Sequence, residues 1–370
     1  MKILITGTGG FIGSNLSQSF KSEGLHEVID VNRETETSVY ESAIVRSDLI
    51  LHFAGVNREC AENYEYSNNI DLAKKMVSTL KNNNLSRTIY FASTTQVKFN
   101  TPYGNSKLEA EKIFKEYARE RNTKLVIMRL PGIFGKNSKP KYNSVVATFC
   151  DALLNNMNVQ INKQSNPMPL IYIDDLISSI KESVNDGSFK DPLDKIKIFT
   201  ITPDELHKRL INIQKYSKAL NFGILKDELD KRLYSTYISF MRERDVFQML
   251  NPHQDVRGEF LELFKFGECG QISFISINPL QSRGGHYHDS KVEKFFVCSG
   301  VVKFKFRNIY NNDSYEITAS QSNRGFINTV PGWEHTIINE SNETTVNLIV
   351  WASEVYDSNK PDTYLVVKNE

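Results

Sequence analysis

The sequence lacks the cysteine pattern of a disulfide-bonded or zinc-finger protein. Its four cysteines lie far apart and form no Cys-x-x-Cys pair, which argues against a disulfide framework and against a cysteine-ligated zinc site. We therefore expect a reducing, cytoplasmic setting. The four residues are Cys60, Cys150, Cys269 and Cys298.

A strong net charge and long apolar runs are also missing. The 45 Lys and Arg residues balance 44 Asp and Glu residues, so no bulk field favours nucleic acid or an anionic membrane. No apolar run is long enough to span a bilayer, and the apolar start MKILITG is too short for a secretory signal. The sequence therefore predicts neither a nucleic-acid partner nor a membrane partner.

The 370 residues are enough for two domains, and the pattern of apolar and polar residues differs between the two parts of the chain. Up to about residue 180, short apolar runs such as KILIT and LILHFAG alternate with helical stretches, which predicts βαβ units and a parallel sheet. From about residue 258, strand-like runs such as QISFISI and VVKFKFRNI follow one another closely, which predicts an all-β sandwich or small barrel. Asn251 and Pro252 break the helical pattern between them, so we expect domains of residues 1–245 and 246–370.

A glycine-rich turn follows the first predicted strand. In TGTGGFIG, Gly7, Gly10 and Gly13 have GxxGxxG spacing at the start of a predicted helix. Glycine permits a tight turn and close approach to a pyrophosphate, which the positive end of the helix then attracts. The alternative is an ordinary tight turn, but the strand-turn-helix context favours a dinucleotide site.

The residues after the second strand leave the choice of dinucleotide open. Asp30 lies where an acid usually binds the ribose hydroxyls of NAD and repels a 2′-phosphate. Asn32 and Arg33 follow directly, and an arginine there can pair with that phosphate.

Tyr103 and Lys107 are four residues apart at a predicted helix start, so their side chains share one face. A phenol is a poor acid at neutral pH, but a nearby ammonium stabilises its phenolate and brings its proton into a useful range. Such a pair can protonate a carbonyl as hydride arrives. The same spacing also arises by chance.

Further motifs follow in order: HFAG (52–55), NNID (68–71), FASTTQV (91–97), RLPGIFG (129–135) and YIDDL (172–176). Together with the glycine turn and the Tyr-Lys pair, they resemble the extended short-chain dehydrogenase/reductase family over about residues 1–243. The resemblance implies a Rossmann-type doubly wound sheet with a small substrate lobe, and NADPH as the cofactor of a biosynthetic reductase, with NADH possible. It assigns catalysis to Thr94, Tyr103 and Lys107. It assigns cofactor contacts to Gly7, Gly10, Phe11, Ile12, Gly13, Asp30, Asn32, Arg33, Ala54, Asn69, Lys107 and Pro131.

Two departures from that family are visible. The stretch between the second strand and LILHFAG is short, so the usual third strand and its helices must be abbreviated, and Thr94 stands where serine is usual. Several basic residues are candidates for holding a diphosphate, although each also suits a solvated surface. They are Arg129, Lys139 and Lys141 in the first domain and Arg257 and Arg283 in the second.

Histidines cluster in the second domain. His286, His288, Glu293 and Gly300 fit the pattern G…HxH(x4)E(x6)G. A second pattern, G(x5)P…H(x3)N, is one residue short between proline and histidine; it contains Gly325, Pro331, His335 and Asn339. These patterns resemble the cupin superfamily, which implies a jelly-roll barrel.

The cupin resemblance also implies a divalent metal at His286, His288, Glu293 and His335. Mixed nitrogen and oxygen ligands suit zinc, manganese, iron or nickel, and we expect zinc. The alternative is that these histidines are ordinary core residues.

The same segment also resembles the dTDP-4-dehydrorhamnose 3,5-epimerase family. That resemblance implies that His286 removes a proton beside a ketone, that Lys294 stabilises the enolate and that Tyr356 returns the proton. The two interpretations compete for His286, because a nitrogen donated to a metal cannot accept a proton. The sequence leaves both open.

A 4-keto sugar nucleotide would connect the two domains. The ketone acidifies the neighbouring C3 hydrogen and also accepts hydride, so epimerisation must precede reduction. The whole chain resembles bifunctional enzymes of bacterial capsular polysaccharide synthesis, which implies a UDP-2-acetamido-2,6-dideoxy-4-hexulose substrate and a UDP-2-acetamido-2,6-dideoxy-L-talose product. By analogy we expect a homodimer. The alternatives are a reductase whose cupin only dimerises or senses a ligand, and an epimerase or dehydratase that recycles its nicotinamide.

Overall fold

The computed structural model describes residues 1–58, 65–161, 165–218 and 225–366. The chain forms two compact units: unit 1 comprises Met1–Ile211 and Lys226–Met241, and unit 2 comprises Asn212–Leu225 and Arg242–Glu370. The sequence predicted one cut, between residues 245 and 246. The exchange of Asn212–Leu225 was not anticipated, and the single cut stays a prediction.

Unit 1 alternates strands and helices along most of its length. Its elements, with the helix that leads out of it, are β1 (Lys2–Thr6), α1 (Phe11–Glu23), β2 (Glu27–Val31), α2 (Thr37–Arg46), β3 (Leu49–His52), α3 (Ser67–Asn82), β4 (Thr88–Thr94), α4 (Pro102–Arg121), β5 (Leu125–Leu130), β6 (Gly132–Phe134), α5 (Val145–Leu154), β7 (Met168–Tyr172), α6 (Ile173–Asn185), β8 (Phe199–Ile201), α7 (Pro203–Lys218) and α8 (Glu228–Ile238).

The main sheet of unit 1 has five parallel strands in the order β2-β1-β3-β4-β5. The central residues of its strands are largely apolar because both faces of the sheet are covered. Ile3 and Ile5 face a core with α1 and α6, whereas Leu4 between them faces a core with α2, α3 and α4. This is the predicted doubly wound arrangement, and only α2 lies between β2 and β3, as the short sequence there required.

The remainder of unit 1 contains a three-stranded sheet in the order β6-β7-β8 and the helices α5 and α8. Strand β6 follows β5 after Pro131, so the RLPGIFG motif joins the two sheets. In a parallel sheet of this type, ligands bind outside the carboxyl ends of the strands. The turns after β1, β3 and β4 meet at that edge.

Unit 2 is built almost entirely from antiparallel strands. After α9 (Glu243–Val246), the strands are β9 (His253–Asp255), β10 (Gly258–Lys265), β11 (Gln271–Ile277), β12 (Ser282–Tyr287), β13 (Glu293–Ser299), β14 (Val301–Asn308), β15 (Ser314–Ser320), β16 (Phe326–Asn328), β17 (Trp333–Ile338), β18 (Val346–Ala352) and β19 (Tyr364–Leu365).

These strands form two sheets, ordered β16-β13-β18-β11-β10-β9 and β15-β14-β17-β12-β19. Inward residues of both sheets, such as Phe295 and Phe304, share one core. The all-β prediction for this part of the chain is confirmed. Among the described residues, no helix is both long and apolar enough to cross a lipid bilayer.

Candidate active sites

The glycine turn packs so closely that side chains are excluded. Gly7 has φ 80°, and a Cβ there would lie 2.7 Å from the Ala54 nitrogen. A Cβ on Gly13 would lie 2.2 Å from the Gly7 carbonyl oxygen. Gly10 caps α1 without a side-chain hydrogen bond, so the helix begins with backbone N–H groups that no cap side chain covers. Those groups and the helix dipole suit the pyrophosphate of a dinucleotide.

Two predicted contacts, Phe11 and Ile12, open α1 directly after this turn and pack partly against the core. Ala54 lies in the loop after β3, where its N–H donates to Thr6 Oγ1 at 3.2 Å. Pro131 follows β5. All four residues therefore follow the carboxyl end of a strand of the parallel sheet: β1 for Phe11 and Ile12, β3 for Ala54 and β5 for Pro131.

Asn69 holds the loop after β3 in place. Its Oδ1 accepts from the Val56 N–H at 2.8 Å, and its Nδ2 donates to the Val56 carbonyl at 2.9 Å and to Ser106 Oγ at 3.0 Å. A Cβ on Gly55 would lie 2.7 Å from Asn69 Oδ1 and 3.1 Å from Lys107 Nζ. Asn69 thus positions the loop beside Lys107 rather than only filling space.

The Tyr-Lys pair lies in the first turns of α4. Thr101 caps this helix by accepting from the Gly104 N–H at 3.0 Å. A Cβ on Gly104 would lie 2.3 Å from the Gln96 carbonyl oxygen, so the helix start approaches the turn after β4 closely. That approach brings the Tyr103 phenol into hydrogen-bond contact with Thr94, the last residue of β4.

Burial dominates the titration of both members of the pair. It raises the pKa of Tyr103 to about 12, with the neighbouring Tyr66 adding to the rise and the Thr94 hydrogen bond opposing it. Burial also lowers the pKa of Lys107 to about 8. The expectation that Lys107 would lower the pKa of the phenol needs correction. Desolvation by burial is the largest effect on that pKa and raises it, and Lys107 Nζ donates to the Ala92 carbonyl at 2.8 Å.

Tyr66 is a neighbour of the phenol that the motifs did not indicate. Its ring centroid lies 5.6 Å from that of Tyr103. It lies only three residues before Asn69, and this spacing is the one sequence signal that could have pointed to it.

The polar residues at and just after the end of β2, Asp30 and Asn32, make different contacts. The Asp30 carboxylate accepts from Ser17 Oγ at 2.6 Å and pairs with Lys21, both on α1. Asn32, just after the strand, lies against the glycine turn, where a Cβ on Gly9 would be 3.7 Å from its Cβ. The position beside the turn therefore carries an amide, with Arg33 next along the chain, and not a carboxylate.

The partly exposed Arg129 is paired with a buried carboxylate. Its Nε and Nη2 donate to the two oxygens of Glu111 at 3.0 and 2.8 Å, and Ser93 Oγ donates to the same carboxylate at 2.7 Å. Glu111 is fully buried, so its charge needs this partner. The sequence expectation of a diphosphate contact at Arg129 is therefore not supported.

In unit 2, the four predicted ligands converge inside the barrel. One donor atom from each of His286, His288, Glu293 and His335 lies within 4.8 Å of the others. The Nε2 atoms of His288 and His335 each lie 3.3 Å from Glu293 Oε2. His286 pairs with His335 across β12 and β17, and the register shifts between Gly284 and His286, an irregularity of the kind that re-aims side chains.

The cluster has the chemistry of a divalent metal site. Burial opposes ionisation of Glu293, but the adjacent imidazoles of His288 and His335 hold its pKa well below its usual range. Burial lowers the pKa of His286 to about 4. An ionised carboxylate and a neutral imidazole are the forms that bind metals. His288 Nε2 is also buried without a hydrogen-bond partner, which fits a nitrogen that would face a metal ion.

Two of the predicted epimerase residues are not brought to this cluster. Lys294 follows Glu293 on β13, and neighbouring residues of a strand point to opposite faces, so Lys294 is exposed on the outer side. Tyr356 lies beyond β18 with 55% of its surface exposed. The expectation that Lys294 stabilises an enolate beside His286 is corrected, because Lys294 and the cluster lie on opposite faces of β13. His286 itself lies in the cluster.

Residues 3–188, half of the chain, match the NAD dependent epimerase/dehydratase family, and residues 253–364 match the polysaccharide biosynthesis C-terminal domain. The chain belongs to the NAD dependent epimerase/dehydratase family. This membership agrees with the glycine turn and the Tyr-Lys pair of unit 1.

Two relatives extend over nearly the whole chain. UDP-2-acetamido-2,6-beta-L-arabino-hexul-4-ose reductase of Pseudomonas aeruginosa is 36% identical over 368 residues, covering 98% of each chain. The crystal structure of the capsular polysaccharide assembling protein CapF from Staphylococcus aureus has a TM-score of 0.89 and 32% identity, covering 99% of each chain. Both units therefore occur together in these relatives.

A more distant structure shares the fold over part of the chain. UDP-glucose 4-epimerase of Thermotoga maritima has a TM-score of 0.52 and 18% identity, and the match covers 65% of this chain and 98% of the epimerase.

Proposed function

We propose that the chain converts a UDP-linked 4-keto sugar in two steps, epimerisation at C3 in unit 2 and reduction at C4 in unit 1. The proposed substrate is UDP-2-acetamido-2,6-dideoxy-4-hexulose, and the product is UDP-2-acetamido-2,6-dideoxy-L-talose, on the route to UDP-N-acetyl-L-fucosamine for capsular polysaccharide. The observation that carries the proposal is the full-length similarity to the P. aeruginosa reductase.

Reduction requires hydride at C4 and a proton on the C4 oxygen. Bound NADPH supplies the hydride. The Tyr103 phenol supplies the proton, since a pKa raised to about 12 by burial keeps it protonated at neutral pH. Thr94 orients the phenol through their hydrogen bond, and Lys107, one helical turn along α4, donates to the Ala92 carbonyl of the strand that ends at Thr94.

The choice of NADPH is supported by the end of β2. An acid beside the glycine turn would repel a 2′-phosphate, but Asn32 occupies that position. The Asp30 carboxylate instead binds Ser17 and Lys21 on α1. Arg33 provides positive charge next to Asn32.

Epimerisation is assigned to the histidine cluster of unit 2. We propose that His288, Glu293 and His335 hold a divalent metal, zinc being the expected ion, with His286 as a fourth contact or as the proton acceptor. A bound metal supplies positive charge that stabilises an enolate oxygen. His286 is the better candidate for taking the C3 proton, because it is less buried than His288 and His335, which are each 2% exposed.

An apolar row on the outer face of the six-stranded sheet supports the expected homodimer. Phe274, Ile349, Phe296 and Phe326 lie side by side on four neighbouring strands, on the face opposite the core. Phe326 is 68% exposed and Ile349 is 38% exposed. We propose that this row contacts the same row of a second copy.

The deciding experiment follows the full-length protein with the 4-keto sugar in deuterated water by NMR, with and without NADPH. We expect deuterium at C3 without NADPH, and net NADPH oxidation with a deuterated 4-hydroxy product when it is added. Reduction without any C3 deuterium would favour the binding-module alternative. Turnover without net NADPH oxidation would favour an epimerase or dehydratase.

A further inference from the structure

The C-terminal segment folds back onto the turn between β12 and β13. The carboxylate of Asp362 accepts from the N–H groups of Asp289 at 2.9 Å, Ser290 at 3.0 Å and Lys291 at 2.7 Å. The Ser290 hydroxyl donates to the same carboxylate at 3.0 Å. One side chain therefore fixes three consecutive amides of a turn that lies more than 70 residues earlier in the chain.

The backbone of the same residue contacts a predicted metal ligand. The Asp362 carbonyl oxygen lies 2.5 Å from His288 Nδ1. A carbonyl can only accept, so Nδ1 donates to it, and Nε2 is the ring nitrogen left to ligate a metal ion. That Nε2 is the buried atom without a hydrogen-bond partner, 3.3 Å from Glu293 Oε2.

Other contacts hold this segment in place. Lys291 is 6% exposed, and its Nζ donates to the Pro361 carbonyl at 2.7 Å and to Thr363 Oγ1 at 2.9 Å. Strand β19 pairs with His286 and Tyr287 of β12. Asp362 has φ 38°, a left-handed conformation that a non-glycine residue adopts at a cost, so the surrounding contacts must stabilise it.

We propose that Asp362 is a positioning residue for metal binding, and that residues 361–363 form a clasp whose docking and metal binding stabilise each other. The carboxylate holds the turn, the turn places the His288 ring, and the carbonyl selects the tautomer that can ligate. This inference rests on the proposed metal site at His288, Glu293 and His335. It adds a residue that none of the sequence motifs contains.

Coupling of this kind works in both directions. If a docked clasp strengthens metal binding, bound metal must favour the docked clasp by the same factor. Hydrogen-bond partners of metal-ligating histidines typically contribute about 10- to 100-fold to metal affinity. We therefore expect Asp362→Ala to weaken zinc binding by about that factor, and Asp362→Asn, which keeps an acceptor oxygen but not the charge, by less.

The first experiment measures the zinc dissociation constant of the full-length protein by competition with a chromophoric chelator, and the visible spectrum of the cobalt(II) form. Asp313→Ala is the matched control, because this carboxylate also sits in a turn of unit 2 and accepts from Asn311 Nδ2 at 2.8 Å. We expect normal affinity in the control, a large loss in Asp362→Ala with an altered cobalt spectrum, and partial recovery in Asp362→Asn.

The outcomes separate the two proposals. A wild-type protein that binds zinc while Asp362→Ala binds it equally well, with an unchanged cobalt spectrum, overturns the clasp and leaves the metal site intact. A wild-type protein that binds neither metal overturns both.

A second measurement needs no variant, in case Asp362→Ala does not fold. Amide hydrogen exchange in the wild-type protein is followed with zinc and after chelation. We expect zinc removal to speed exchange at Asp289, Ser290 and Lys291, the amides that donate to Asp362, and to leave the β14–β15 turn unchanged. Equal exchange in zinc-bound and zinc-free protein would contradict the coupling.

Discussion

The Tyr103 phenol separates the two proposed reactions, because only reduction needs a proton on the C4 oxygen. We expect Tyr103→Phe to lower the rate of NADPH oxidation by about 10²- to 10⁴-fold and to leave deuterium uptake at C3 unchanged. Tyr310→Phe is the control, since Tyr310 is 81% exposed on a turn of unit 2. If both activities of Tyr103→Phe disappear together, the assignment to two separate centres is wrong.

Asn32 provides a test of cofactor choice. Replacing its amide with a carboxylate beside the glycine turn would repel a 2′-phosphate and offer acceptors to ribose hydroxyls. We expect Asn32→Asp to shift the ratio of kcat/KM for NADPH over NADH by about tenfold or more towards NADH. Asn312→Asp, on an exposed turn, serves as the control. An unchanged ratio would mean that Asn32 does not face the adenosine ribose.

His52 makes stability depend on pH. It is fully buried between Phe91 and Phe114, with Nδ1 2.7 Å from Thr6 Oγ1, and burial together with the Lys107 charge lowers its pKa to about 3. The unfolded chain binds a proton near pH 6.5, so between pH 6.5 and 3 the unfolded state binds more protons and stability falls as the pH falls. From these two pKa values, His52 costs about 2 kcal/mol at pH 5 relative to pH 7.

Urea unfolding at pH 7 and pH 5 measures this effect. His52→Gln cannot gain the proton, so its loss of stability between the two pH values should be smaller than that of the wild type by about 2 kcal/mol. The two proteins losing equal stability would show that His52 is not kept neutral by the fold.

The approach of α4 to the turn after β4 sets the geometry of the reductase site. A methyl group on Gly104 would meet the Gln96 carbonyl oxygen at 2.3 Å, so the helix start must move. We expect Gly104→Ala to lower the free energy of unfolding by about 1–3 kcal/mol and to slow reduction. Deuterium uptake at C3 should persist.

Gly325→Ala is the matched control for this prediction, because the nearest atom to its Cβ would be 3.9 Å away. Denaturation curves and NADPH oxidation rates of both variants give the comparison. A Gly104→Ala protein with normal stability and rate would mean that this contact does not position Tyr103.

The alternation of inward and outward side chains along β13 explains one error of the sequence interpretation. Glu293, Phe295 and Val297 face the barrel interior, so Lys294 must face outward. The motif resemblance suggested a role for Lys294, but simple alternation along the strand already argued against a position beside His286. The glycine turn and the helix start at Tyr103 were predictable because the sequence signals for them, GxxGxxG after a strand and a Tyr-Lys pair four residues apart, each lie within a few residues.

Contacts between distant parts of the chain were not predictable in the same way. Arg129 has a motif position but binds Glu111, which lies on another element, and no spacing rule joins the two. Asp362 meets residues 289–291 across more than 70 positions. The convergence of His286, His288, Glu293 and His335 was predictable because two short patterns contain them all, whereas residues that contact this cluster, such as Asp362, belong to no pattern.

The apolar row of Phe274, Ile349, Phe296 and Phe326 makes assembly testable. If it joins two copies, light scattering should give a mass near twice 42.4 kDa. We expect Phe326→Asp to shift the protein towards the single-chain mass because a carboxylate would be buried in an apolar contact. Tyr310→Asp, a charge placed elsewhere on the surface of unit 2, should leave the mass unchanged. A wild-type protein of single-chain mass would remove the proposed dimer.

The assignment of Asn212–Leu225 to unit 2, with Lys226–Met241 returning to unit 1, means that the polypeptide passes from one unit to the other three times. No single cleavage point can then release both units whole. A gene divided after codon 245 would leave Asn212–Leu225 and residues 242–245 of unit 2 on the first fragment, so the second fragment would have to associate with the first before unit 2 could complete its fold.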